Sequence, residues 1–189
     1  STITITGKVK KLDCSSNKLL TVDASKALSL EQLLVDDNEI TSITLGELPN
    51  LVRLYVGSNN LTSIDLSGLP QLADFSCWGN KLVSIDLSHN ANLGSLVCRE
   101  NLLTGTLDLS HCPLLQELSC FNNHIEEIKL ASLNRLGHLE IQRNKIKGDA
   151  MIQLLSALPE YRAFAADDWD DYMGLNPQGI YLLEITDLE

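Results

Sequence analysis

The sequence is short of basic residues. Its 189 residues include 14 Lys+Arg against 25 Asp+Glu, which gives a formal net charge of -11. Nucleic-acid surfaces depend on clustered cations that displace phosphate counterions, so this shortage argues against a nucleic-acid partner. Anionic membrane surfaces are disfavoured for the same reason. The acids are concentrated near the end of the chain, where residues 160–189 hold eight of them and one cation, Arg162.

Long hydrophobic runs and the common catalytic motifs are also missing. No apolar run approaches the roughly 20 residues of a membrane helix, so we expect no membrane insertion. The chain has no Gly-rich phosphate loop, no HExxH pair and no serine elbow. It begins at Ser1 in a polar stretch without a signal peptide, and we expect any leader to have been removed or never present. We expect no enzymatic activity, no cofactor and no metal.

What the sequence does contain is a repeat, marked by an asparagine that returns every 21 or 22 residues. Apolar residues stand five and three positions before each of these asparagines and two positions after it. The longer interval comes from one extra residue around Gly105, which we expect to lie in a loop. The asparagines, which we call the Asn ladder, are Asn17, Asn38, Asn59, Asn80, Asn101, Asn123 and Asn144.

The apolar positions before each ladder asparagine alternate with polar ones, as in Leu54 and Val56. A period of two predicts a short strand with those side chains turned inward. Since the pattern returns after one short repeat, successive strands must lie side by side and parallel, and the chain is predicted to be a solenoid. The ladder amides are expected to satisfy backbone groups where the chain leaves each strand.

These columns match the leucine-rich repeat pattern LxxLxLxxNxL over about residues 9–158. Segments such as Leu12–Leu19 and Gly79–Ser88, with a recurring Cys at the third strand position, resemble secreted bacterial leucine-rich repeat proteins common in Bacteroidetes, related to internalin-like families. The resemblance implies an α/β solenoid, a right-handed superhelix with a curved parallel sheet on its concave face. Extended or 3₁₀ segments are expected on the convex face.

Three regions are predicted along the chain. Residues 1–8 form an N-terminal capping strand, residues 9–147 form seven leucine-rich repeats, and residues 148–189 form a C-terminal cap with a helix, an acidic loop and a final strand. Asp149 is expected to cap the helix and Pro159 to end it. The loop Asp167–Asp171 lacks the EF-hand spacing, so a solvated acidic loop is favoured over a calcium site.

The cysteines and histidines offer a few alternative sites. Asp108, His111 and Cys112 could be read as a thiol enzyme, but Cys112 falls in an apolar column and is expected to be a core residue. His89 and His111 are equivalent in adjacent coils, too few for a zinc site. Cys14, Cys77, Cys98 and Cys120 share one interior column, where reduced thiols are favoured over strained bridges.

Large side chains stand on the predicted concave face where the repeat does not require them. Aromatic and Arg side chains dominate binding at protein interfaces, whereas single exposed apolar residues are ordinary. Three of the nine aromatic residues lie on this strip. The predicted partner-binding residues are Leu34, Arg53, Tyr55, Trp78, Val97, Arg99 and Phe121.

The sequence and the resemblance together predict a noncatalytic protein-interaction module of a secreted or cell-surface protein. A protein or peptide partner would bind the concave face, and we expect the chain to be a monomer. Two alternatives stay open: a glycan-binding module of the adhesin type, since Trp and Tyr also stack on sugars, and a structural spacer without a ligand.

Overall fold

The structure, a computed structural model, describes residues 1–131, 136–158 and 181–182. It consists of short strands that return at each repeat, with one helix near the end of the described chain. In chain order the elements are β1 (Thr2–Thr6), β2 (Lys11–Asp13), β3 (Thr21–Lys26), β4 (Gln32–Leu34), β5 (Ser42–Thr44), β6 (Arg53–Tyr55), β7 (Asp74–Ser76), β8 (Ser95–Val97), β9 (Thr104–Leu109), β10 (Glu117–Ser119), β11 (His124–Leu130), β12 (His138–Glu140), α1 (Gly148–Ala157) and β13 (Tyr181–Leu182).

One strand from each coil joins an eight-stranded sheet, and every neighbouring pair is parallel. The order is β2-β4-β6-β7-β8-β10-β12-β13. Equivalent repeat positions face one another, so that Leu33 pairs with Leu54 and Leu54 with Phe75. These central side chains are completely buried, because the alternation turns them into the solenoid. The predicted parallel solenoid is confirmed.

The opposite, convex side is strand in some coils and turn in others. β1, β3 and β5 form one parallel sheet there, and β9 and β11 form a second. The expected extended segments are present as these strands. Within residues 1–131 and 136–158 no 3₁₀ helix occurs, but single turns are closed by hydrogen bonds between residues three apart, such as Leu51 N–H to the Leu48 carbonyl at 3.1 Å. β1 lies beside β3 on this side, with Ile3 opposite Val22, and β2 is the first strand of the concave sheet.

The extra residue of the long repeat is part of a strand, so its predicted position in a loop is wrong. Gly105 lies inside β9 with φ 65°. The register between β9 and β11 shifts beside it: Gly105 pairs with Ile125 and Thr106 with Glu127, so Glu126 of β11 has no partner in the pairing. A bulge of this kind accommodates one unpaired residue without ending the sheet.

Each interior asparagine of the Asn ladder ties its own coil to the coil before it. The Asn59 Nδ2 group donates hydrogen bonds to the carbonyls of Val35, Val56 and Gly57, at 3.0–3.1 Å. Its Oδ1 accepts one from the Ile40 N–H at 2.9 Å. These backbone groups are buried where the chain leaves the strand, so the amide supplies the partners that a turning backbone cannot give itself.

The residue before each ladder asparagine adopts a left-handed conformation, with φ between 50° and 64°. Only one of these residues is glycine, although the conformation is costly for the other residue types. The asparagine bonds on either side of the turn hold it in place. The residues are Ser16, Asp37, Ser58, Gly79, Glu100, Asn122 and Arg143.

All five cysteines are free thiols, and Cys77, Cys98, Cys112 and Cys120 are completely buried. Burial raises the pKa of the Cys98 thiol to about 12, and Cys14, at the first coil, is partly exposed. The thiolate is the reactive form of cysteine, so buried thiols with raised pKa values are unreactive.

A thiol titration at neutral pH should therefore give at most one reactive group in the native protein, Cys14. Unfolding in denaturant without reductant should release all five. Disulfide exchange with an aromatic disulfide reagent measures both numbers. A count of three or fewer in the unfolded protein would show that a bridge exists within the column.

Apart from the Asn ladder, one position in an otherwise apolar interior column is occupied by an asparagine. Asn90 is completely buried, and its Nδ2 donates to the carbonyls of Leu66 and Leu69. Its Oδ1 has no hydrogen-bond partner among the described residues. The equivalent positions hold Leu48, Leu69 and Cys112, which are buried apolar residues.

At the C-terminal end, α1 packs against β11 and buries Leu154. The N-cap residue is Lys147 and no side chain caps the helix, so the predicted capping role of Asp149 is wrong; Asp149 lies in the first turn. β13 pairs with β12 and adds the last strand to the concave sheet. The acidic segment Asp167–Asp171 and Pro159 lie outside the described residues. No helix in the described part is long and apolar enough to cross a membrane.

Candidate functional site

The predicted partner-binding residues all lie on the concave face, defined here as the outward surface of the eight-stranded sheet and the turns that follow its strands. They stand next to buried leucines in the strands or to buried cysteines just after them, and each is half-buried. Leu34, Tyr55 and Val97 occupy one column of the sheet. Trp78, Arg99 and Phe121 occupy the column just beyond the strands. The sheet therefore holds their backbones at one-coil spacing, near 4.8 Å.

The second column forms a continuous pile of side chains, which we call the stack: Gly57, Trp78, Arg99 and Phe121. The Arg99 guanidinium carbon lies 4.8 Å from the Trp78 ring centre and 5.4 Å from the Phe121 ring centre. On its other side the indole lies over Gly57, where an added Cβ would be 2.2 Å from the indole Nε1. A cation between two aromatic faces is attracted by both rings, so the stack fixes three large side chains.

A second group of polar side chains lies beside the stack. Asp74 accepts a hydrogen bond from Arg53 Nε at 2.9 Å and another from the Tyr55 hydroxyl at 2.7 Å, both at Oδ2. The Arg53 guanidinium carbon is 5.6 Å from the Tyr55 ring centre. Burial, with the neighbouring Asp74 carboxylate, raises the pKa of Tyr55 to about 12. Tyr55 is thus held as a neutral hydrogen-bond donor, and Arg53 is neutralised within the group.

Asp36 supports the turn beneath the indole. Its Oδ1 accepts a 2.7 Å hydrogen bond from the Gly57 N–H. Burial raises the pKa of this carboxyl group, although the Gly57 hydrogen bond acts in the opposite direction. Gly57 is therefore fixed from behind by Asp36 and covered in front by Trp78, which explains why a residue without a Cβ stands at this position.

The far end of the concave face is acidic. Glu117 accepts a hydrogen bond from Ser95 Oγ at 2.8 Å, and Glu140 accepts one from the buried Ser119 hydroxyl. His138 Nε2 lies 3.5 Å from Glu140 Oε1. Among the described residues neither glutamate pairs with a Lys or Arg. No role was predicted for these two glutamates from the sequence; the signal that points to them is two acids in adjacent columns of neighbouring strands.

The alternative chemical sites do not assemble. Cys112 is completely buried, and burial raises the pKa of its thiol to about 11. The Asp108 carboxylate is used by Ser110, which donates to it from its N–H and its hydroxyl, and His111 lies near Ser110. Across the described parts of the chain, no three His, Cys, Asp or Glu residues are placed to hold a metal ion.

No family model matches this sequence, and no curated protein matches it. Solved structures do match. The functional domain of InlJ from Listeria monocytogenes, described as including a cysteine ladder, aligns with 74% of this chain and 31% of its own, at 35% identity and a TM-score of 0.71. YopM from Yersinia enterocolitica aligns with 72% of this chain and 33% of its own, at 25% identity and a TM-score of 0.53.

This chain is a leucine-rich repeat protein of the bacterial type. A leucine-rich repeat protein of Leptospira interrogans also aligns, over 79% of this chain and 53% of its own, at 19% identity and a TM-score of 0.45. The chain spans about a third of the length of the Listeria and Yersinia structures. The similarities to the Listeria and Yersinia structures support a protein-interaction module. The predicted Bacteroidetes origin stays a prediction.

This leucine-rich repeat protein also has a cysteine column of its own. Cys77, Cys98 and Cys120 lie in consecutive coils, and Cys14 holds the same position in the first coil. In this chain the thiols pack as small apolar groups inside the solenoid, away from the concave face.

Proposed function

We propose that the protein is a noncatalytic interaction module that binds a protein or peptide partner on its concave face, around the stack and Tyr55. The stack is the observation that carries this proposal. Trp, Tyr and Arg are the side chains that contribute most when a partner buries them. Here they are half-buried, adjacent and already fixed by one another, so little side-chain entropy is lost on binding.

The function is proposed for a protein that acts outside the cytoplasm, either secreted or on the cell surface. This part rests on the resemblance to bacterial leucine-rich repeat proteins. The scarcity of cations on the concave face fits the exclusion of nucleic acid, because Arg53 and Arg99 are both engaged by acids, Asp74 and Glu100.

A peptide or protein is favoured over a glycan by the way the indole is packed. Sugar rings stack on an open aromatic face, but one face of Trp78 lies over Gly57 and the other faces Arg99. What the stack offers a partner is its outer edge, with Leu34 and Val97 as separate apolar contacts three strands apart in the sheet. Such a surface suits an extended chain or a loop. The structural spacer predicts no ligand for this surface.

Trp78→Ala should weaken binding while leaving the fold intact. The probe is a displayed library of random twelve-residue peptides, selected on the wild-type protein, with the affinity of the enriched peptides measured by fluorescence anisotropy. Loss of a central aromatic residue is expected to raise Kd about 30-fold, equivalent to about 2 kcal/mol. Thermal unfolding of the variant should match that of the wild type.

Gly57→Ala tests the same site without removing a contact residue. The new Cβ would overlap the indole and force Trp78 out of the stack, so binding should weaken although every binding side chain is kept. Gly94→Ala is the matched control, since its Cβ would meet only the carbonyl oxygens of Ala73 and Leu114, at 3.6 and 3.8 Å. Unchanged affinity in both Trp78→Ala and Gly57→Ala would reject the proposed site.

A further inference from the structure

The two ends of the concave face differ in how their charges are satisfied. Toward the first coils, the Arg53 guanidinium is paired with Asp74 at 2.9 Å, and Tyr55 donates to the same carboxylate. In the middle, Arg99 Nη1 is 2.8 Å from Glu100 Oε1 and lies between two aromatic rings. The central cations of the face are therefore occupied within the chain, and an acidic partner would have to displace an existing carboxylate to reach them.

The acids at the other end are oriented but not neutralised. The Glu117 carboxylate is held by the Ser95 hydroxyl, and the Glu140 carboxylate by the buried Ser119 hydroxyl. Neutral hydroxyl groups fix the direction of a carboxylate and leave its charge in place. Glu117 and Glu140 lie on β10 and β12, which are neighbours in the sheet. Among the described residues no Lys or Arg side chain pairs with either glutamate. His138 Nε2 lies 3.5 Å from Glu140 Oε1 and forms an ion pair with it only when the imidazole is protonated.

The acids and the stack belong to one surface. Glu117 and Phe121 lie on the same coil, four residues apart, and Glu140 lies one strand further along the sheet. At about 3.3 Å per residue, four residues of extended chain span about 13 Å. An extended peptide that lies along a strand would thus contact the stack with one side chain and the two glutamates with another, about two to four residues away in the peptide.

We propose that the partner segment is basic and apolar: an extended peptide with a Lys or Arg side chain on Glu117 and Glu140, and an aromatic or aliphatic side chain on the stack. This inference rests on the proposed function and names the chemistry of its partner. Charge complementarity carries it, because the Glu117 and Glu140 carboxylates lie next to the stack and have no Lys or Arg partner among the described residues, whereas Asp13 lies at the opposite edge of the sheet, on β2 with Lys11. Electrostatic complementarity of this kind fixes the orientation and register of a partner.

The same peptide library tests the proposal. Selection on the wild-type protein should enrich peptides that carry a Lys or Arg two to four residues from an aromatic or aliphatic residue. Selection on the double variant Glu117→Gln/Glu140→Gln should keep the apolar residue and lose the basic one. Enriched wild-type peptides should bind the double variant about tenfold more weakly, and less so in high salt, where the charge contribution is screened.

The matched control is Glu47→Gln/Glu126→Gln, which changes the net charge equally at two exposed positions off the concave face. It should leave the affinity unchanged. Enrichment of neutral or acidic peptides whose binding depends on Trp78 would overturn the charge inference and leave the proposed function standing. No enrichment over Trp78→Ala in any selection would overturn both. Equal losses of affinity in the two double variants would show that only the net charge of the protein matters, and would reject Glu117 and Glu140 as the contact site of the basic side chain.

Discussion

Asn80→Ala is expected to lower the free energy of unfolding by about 3 kcal/mol. The loss comes from a buried N–H group left without an acceptor, from the other hydrogen bonds of the amide and from the cavity that the side chain leaves. The Asn80 Oδ1 accepts the Leu61 N–H at 2.9 Å, and its Nδ2 donates to the carbonyls of Val56 and Cys77. Those two carbonyls keep a second partner, Asn59 or Asn101. The Leu61 N–H has no other acceptor, so its unpaired state accounts for most of the lost stability. Urea unfolding followed by circular dichroism measures the free energy of unfolding.

Asn17→Ala is the matched control at the end of the Asn ladder. Asn17 is exposed, and its Nδ2 donates only within its own coil, to the carbonyls of Cys14 and Ser15. Its removal leaves no buried donor unpaired, and the expected loss is below about 1 kcal/mol. Similar losses in the two variants would contradict the view that the ladder stabilises the solenoid by joining coils.

The repeat made most of the fold predictable. A polar residue that returns at one position among apolar columns can only be a buried, hydrogen-bonded group of a parallel solenoid, and the ladder and the buried leucines follow from it. The convex side was less predictable. Its segments are strand at β3 and β5 but not at residues 62–66 and 83–87, although these coils have the same length, so a single repeat does not indicate which segments form strands.

The site was predictable as a set of positions and not as a set of contacts. The register placed Trp78, Arg99 and Phe121 in one column, but whether those side chains stack depends on their rotamers. Gly57 was visible in the same column without a role, which appears only when the indole is seen to cover it. Asp74 and the two glutamates gained their significance from partners on other coils.

Asn90 is a polar residue at a repeat position that is otherwise apolar, so the repeat pattern does not indicate its character. Its equivalents Leu48, Leu69 and Cys112 are apolar, yet its side chain is completely buried with Oδ1 unpartnered within the described residues. The apolar residues of this column do not indicate that a buried amide stands among them.

Gly68→Ala is expected to destabilise the protein by about 2–3 kcal/mol, because the new methyl group would overlap backbone atoms that cannot move aside. An added Cβ would lie 2.1 Å from the Gly46 carbonyl oxygen and 3.1 Å from the Glu47 Cα, both backbone atoms of the previous coil. Gly46 has φ 59°, and the turn that contains it is joined to Gly68 by a hydrogen bond from the Leu48 N–H. Relief of the overlap must therefore separate two coils.

The repeat columns alone predict the opposite result, because Lys26, Glu47 and His89 stand at the positions equivalent to Gly68. Gly94→Ala isolates the steric effect: its Cβ would make only ordinary contacts, so loss of glycine flexibility in the unfolded chain should leave stability unchanged or raised by up to about 1 kcal/mol. Urea unfolding of both variants decides between the two views. If Gly68→Ala is as stable as Gly94→Ala, the two convex turns can separate without cost, and the coil spacing on that side is set by the concave sheet and the Asn ladder alone.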